Sequence, residues 1–162
     1  MKPLVIYDSV YGNTKKIASA IGNAIAEKGG NVKVLSVDEM AASELKSVDF
    51  LVVGAPTHGG RPSPDMKEFI KTLPKGVLDD VKITGFDTRI ESKTSGFGIR
   101  VLTRVLGYAA ERIAKRLAQK GGLQAGRPEG FIVDDREGPL KPGEEVRAKE
   151  WISQTIKGIN HE

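Results

Sequence analysis

The chain has 162 residues, of which 28% are charged, with a formal net charge of +4 and no cysteine. That length suits one domain, read here as 1–162, which can bury a core without staples. The absence of cysteine excludes a disulfide framework, thiolate metal ligands and thiol catalysis.

The opening MKPLVIYDSV turns polar at Asp8, too soon for a signal peptide or a membrane span. The protein is therefore expected to be soluble and cytoplasmic, with no membrane partner. Residues 4–8 (LVIYD) form the first expected strand. The stretch 15–29 has Ile17, Ile21, Ala24 and Ile25 at helical spacing and stops at Gly29 and Gly30. Residues 31–37 alternate as a second strand, and ASELKS suggests a short helix. FLVVGAP (50–56) is apolar throughout, as expected for a strand buried on both faces. Residues 63–73 read as a helix with Ser63 as cap, Pro64 in the first turn and Met66, Phe69, Ile70 and Leu73 facing in. Strand four is expected at 81–87, a long helix at 99–122, strand five at 129–135 and a last helix at 143–159.

Strict alternation of strands and helices implies crossover units and a parallel sheet covered on both faces. Ligands in such sheets bind beyond the carboxyl ends of the strands. The loops after strands one, three and four are therefore the candidate site.

The first of these loops is SVYGNT (9–14). A turn feeding a helix start presents unpaired amides and a positive dipole end, an arrangement suited to phosphate. Ser9 and Thr14 add hydroxyls, Asn13 an amide, and Gly12 allows close backbone approach. The Gly-Lys-Ser/Thr ending of a P-loop and the GxGxxG spacing are both absent, which disfavours nucleotide hydrolysis and a dinucleotide fingerprint. A plain capped turn explains the same residues equally well.

The longer pattern VIYDSVYGNTKKIASAI resembles the flavodoxin signature, with Val5, Ile6, Tyr7, Ser9, Gly12, Thr14, Ala18 and Ile21 in place. The resemblance implies a doubly wound five-stranded α/β sheet of order 2-1-3-4-5. It also implies a loop that wraps the phosphate of FMN, with Ser9, Tyr11, Gly12, Asn13 and Thr14 as its residues. Pro56, Thr57, His58, Gly59 and Gly60 resemble the family's second flavin loop, with His58 where an aromatic residue flanks the ring. Imidazole titrates near neutrality, so a cationic His58 beside an anionic reduced flavin would make the reduction potential depend on pH; a loop histidine in contact with water is the other reading. Asp87, Thr88 and Arg89 stand where the third loop meets the flavin. The tyrosine that many family members place there is missing, and Phe97 is the nearest aromatic that could replace it. The flexible SGFG (95–98) reads as a lid or as a helix approach.

By this resemblance the protein is an FMN-binding redox protein carrying electrons to or from a partner protein or a small acceptor. A flavodoxin-like NAD(P)H:quinone reductase is a second reading, and whether the chain is an enzyme stays open. A flavin-free binding module is the third. A phospho-acceptor receiver is disfavoured, because the first strand ends with Asp8 alone and the third with GAP. A zinc site is disfavoured too, since His161 is the only other histidine. Lysine and arginine are spread along the chain with a modest concentration between Arg100 and Lys120, and only 6% of residues are aromatic, which suggests a solvated helix face rather than a nucleic-acid site.

Overall fold

The computed structural model describes residues 1–91 and 107–161. The elements run β1 (Pro3–Tyr7), α1 (Asn13–Glu27), β2 (Lys33–Ser36), β3 (Phe50–His58), β4 (Arg61–Pro62), α2 (Pro64–Thr72) and β5 (Lys82–Ile90). They continue with α3 (Ala109–Ala118), β6 (Leu123–Gln124), β7 (Glu129–Val133) and α4 (Glu144–Asn160). The helix expected at ASELKS is a 3-10 turn, Ala42–Leu45.

Among the described residues the sheet has seven strands in the order β2-β1-β3-β5-β6, with β7 also pairing β5 and β4 pairing β3. Five parallel strands were expected. The extra two are the two-residue strands β4 and β6. Without them the order is that of the expected 2-1-3-4-5 sheet, with β5 and β7 as its fourth and fifth strands. β4 turns back antiparallel on the end of β3, pairing His58 with Arg61. The two residues of that turn, Gly59 and Gly60, have φ 56° and 75°, the double positive φ of a tight hairpin. β6 pairs the start of β5 and β7 pairs its end, so this edge is interrupted at 125–128, which includes Pro128.

Alternate residues of β1 enter opposite faces. Val5 and Tyr7 pack with Ile17, Ile21, Phe50, Phe131 and Ile152 under α1 and α4. Leu4 and Ile6 pack with Leu51, Met66, Ile70, Ile113 and Leu117 under α2 and α3. This is an α/β sheet with helices on both faces. No helix among the described residues is long and apolar enough to cross a membrane.

β5 runs three residues past its expected end. Thr88, Arg89 and Ile90 carry no apolar run in the sequence, but they pair with Phe131, Ile132 and Val133 of β7. Backbone pairing to a distant strand decides the element here. α1 begins two residues earlier than its apolar periodicity, because the turn before it is closed by a side chain, described next.

Candidate functional site

The carboxyl ends of β1, β3 and β5 open on one small cleft of about 70 Å³. The first loop builds its floor. Gly12, at φ 89°, is the N-cap of α1. The Ser9 hydroxyl accepts the Gly12 amide at 3.1 Å and the Lys15 amide at 3.3 Å. Asn13 and Thr14 are the first residues of α1, so their amides have no intrahelical acceptor. Both residues line the cleft. Their side chains are used elsewhere. Asn13 Nδ2 donates to the Glu137 carbonyl at 3.1 Å, and the Thr14 and Thr88 hydroxyls are hydrogen-bonded at 2.7 Å. The backbone amides are therefore what this loop offers a ligand.

Pro56, Thr57 and His58 line the cleft from the end of β3. The Thr57 hydroxyl is buried and has no hydrogen-bond partner. Gly59 and Gly60 form the hairpin turn and do not line the cleft. Val10, Tyr11 and Ile90, at the rim, are three of the six exposed large hydrophobic residues among those described. They gather apolar surface around one opening.

Thr88 and Arg89 line the cleft from β5, whereas Asp87 lies beneath it, fully buried. The Asp87 carboxylate accepts Arg89 Nε at 2.6 Å and Nη2 at 2.7 Å, and the amide of Ala110 at 2.9 Å. Burial pushes the Asp87 carboxyl up, and the Arg89 hydrogen bonds pull against it. Burial also opposes the charge of Arg89, but the Asp87 hydrogen bonds more than offset it, and the guanidinium is held charged. Asp87 thus fixes Arg89 and closes the start of α3. The guanidinium carbon of Arg89 lies 3.6 Å from the centroid of the Tyr108 ring. Phe97, the lid segment 95–98 and the first part of the helix expected at 99–122 lie outside the described residues.

Sequence reasoning missed Val10, Ile90, Val133 and Arg136, which complete the lining. It also missed Tyr108, the aromatic that backs the third strand end. Ile90 lies three residues past the expected end of its strand, and Arg136 and Tyr108 are brought in from distant segments, so none of the three carried a signal.

Residues 4–125 match the family model described as a flavodoxin domain. A flavodoxin of Aquifex aeolicus (strain VF5) is 29% identical, over 97% of this chain and 90% of its own length. The crystal structure of oxidised flavodoxin 1 from Bacillus cereus superposes with a TM-score of 0.74 at 19% identity, covering 97% of this chain and 98% of that one. Rubredoxin oxygen:oxidoreductase from the anaerobe Desulfovibrio gigas superposes with a TM-score of 0.74 at 18% identity, covering 99% of this chain but 36% of that one. At those identities the structural likeness is one of fold.

Proposed function

The chain belongs to the flavodoxin domain family, and on that premise we propose that it binds FMN and carries electrons to or from a redox partner protein or a small acceptor in the cytoplasm. One observation carries the reading: the amide-bearing start of α1 opens into the same cleft as the orphaned buried hydroxyl of Thr57. A buried hydroxyl without a partner is costly, and a ligand rich in acceptors would satisfy it.

The residues present fit FMN. The amides of Asn13 and Thr14 and the dipole of α1 suit a phosphate. Arg136 adds a cation to the lining and has no ion pair among the described residues. Tyr11, His58 and Ile90 supply flat or apolar surface for a ring system. When bound, FMN supplies the redox chemistry, and the protein's part is position and electrostatics. Arg89, stacked on Tyr108 and neutralised by its pairing with Asp87, brings a fixed guanidinium to the edge where a tyrosine is missing.

The test is the visible spectrum of the protein after incubation with excess FMN and gel filtration. A retained flavin spectrum is the expected result. A colourless protein that does not quench FMN fluorescence would make this a flavodoxin fold without flavin.

A further inference from the structure

On the sheet face away from α1, α2 and α3 border a groove of about 610 Å³. Five cations line it: Lys71 from α2, Arg112, Lys115 and Arg116 from α3, and Lys120 just beyond it. Gln119 and Ile70 complete the lining, and no carboxylate takes part. Lys71 lies 4.0 Å from Glu68, with both side chains largely exposed, a pair worth little in water. No ion pair among the described residues involves Arg112, Lys115, Arg116 or Lys120. The undescribed stretch 92–106 contains no Asp or Glu, so it brings no hidden counter-charge. Within the groove the Nε of Arg112 is buried and has no hydrogen-bond partner. Lys120 is held in place, donating to the carbonyls of Lys71 at 3.2 Å and Leu73 at 2.5 Å.

Like charges gathered in one concavity repel each other, and a buried guanidinium nitrogen without a partner costs stability. Both are relieved by an anion. We infer that the α2–α3 groove is the docking site for an acidic segment of a partner protein, whose Asp and Glu side chains meet Arg112, Arg116 and their lysine neighbours. Guanidinium groups suit carboxylates because they can bind them through two parallel hydrogen bonds. Nucleic acid is the weaker fit: no aromatic residue among those described lines the groove, so they offer no surface on which bases stack. The groove also has a definite relation to the cleft. Arg112 lies two residues after Ala110, which is bonded to Asp87 beneath Arg89, and the helix ends at Ala118, about 9 Å further along its axis at ~1.5 Å per residue, with Lys120 just beyond. A segment in the groove therefore reaches from the far end of the sheet to within one turn of the cleft. If the flavin reading holds, the groove sets the charge of the redox partner. The inference itself does not need flavin.

The experiment uses the flavin-free full chain and a fluorescein-labelled oligo-glutamate peptide, read by anisotropy at low and rising salt. Binding that weakens with salt, and that falls more than tenfold in Lys115→Glu/Arg116→Glu, is expected. A control with the same change in net charge, Lys28→Glu/Lys157→Glu, is expected to lose less than threefold. Backbone chemical-shift changes in the native chain should gather at Lys71, Arg112 and Arg116. Equal losses in the two double variants would overturn the inference, since net charge alone would then explain binding. So would tighter binding of single- or double-stranded RNA than of the peptide. A flavin-free result in the spectral test would leave these outcomes unchanged, so the two readings fail separately.

Discussion

Asp87 holds Arg89 through both carboxylate oxygens while the same carboxylate closes the start of α3. One buried side chain thus couples the third strand end of the cleft to a helix on the sheet's other side. Removing one partner of a buried pair strands the other, at a cost of ~3–5 kcal/mol. Arg89→Met should lower stability by about that amount, and the double variant Asp87→Asn/Arg89→Met should recover much of it. Urea unfolding of the four-member cycle checks this; additive losses would mean that the pair is not coupled.

The Thr57 hydroxyl separates stability from binding. It has no hydrogen-bond partner among the described residues, so Thr57→Val should leave the urea midpoint of the flavin-free protein unchanged or slightly raised. FMN affinity should fall by roughly tenfold, as expected for one hydrogen bond of ~1 kcal/mol or a little more. A loss of stability without loss of affinity would place that hydroxyl in the fold rather than in the site.

Glu144 gives a pH prediction. Burial acts to raise its pKa, but hydrogen bonds from Arg147 and from the Ile132 amide outweigh it, so the folded value lies below the ordinary one. A carboxyl lowered on folding stabilises above its unfolded pKa of about 4.3, and that stability is lost as pH falls through the folded value. Native protein should therefore lose stability below about pH 4 more steeply than Glu144→Gln. At pH 7 the variant should be weaker by ~1.5–3 kcal/mol. Parallel pH profiles of the urea midpoint would contradict this.

Gly12 tests the turn itself. A Cβ there meets nothing within 4 Å, so only its φ of 89° resists substitution. Gly12→Ala should lose ~1–2 kcal/mol from the left-handed backbone. Equal thermal midpoints for variant and native chain would mean that the turn relaxes freely.

Much of this architecture was legible. The apolar runs of β1 and β3 and the stripe on α2 mark their own burial, and SVYGNT marks the turn before α1. What was not legible depends on contacts between distant residues. Thr88 and Arg89 belong to a strand because β7 pairs with them. Asp87 looked like a ligand-facing loop residue, but the amide of Ala110, 23 residues on, draws it inside. Gly59-Gly60 is visible in the sequence as a turn signal, but that it reverses β3 into β4 rests on the pairing of His58 with Arg61. Four of the five groove cations fall within the basic stretch 112–120 that the sequence shows; what it does not show is that Lys71 of α2 meets them across the groove.

The central claim is that the start of α1 cradles the phosphate of FMN. Paired titrations of the flavin-free chain with FMN and with riboflavin, followed by flavin fluorescence, test it most directly. The account predicts that FMN binds at least a hundredfold more tightly, since the two differ only in the phosphate, with a gap of ~2.7 kcal/mol or more. Equal affinity for the two, or binding of neither, would contradict it.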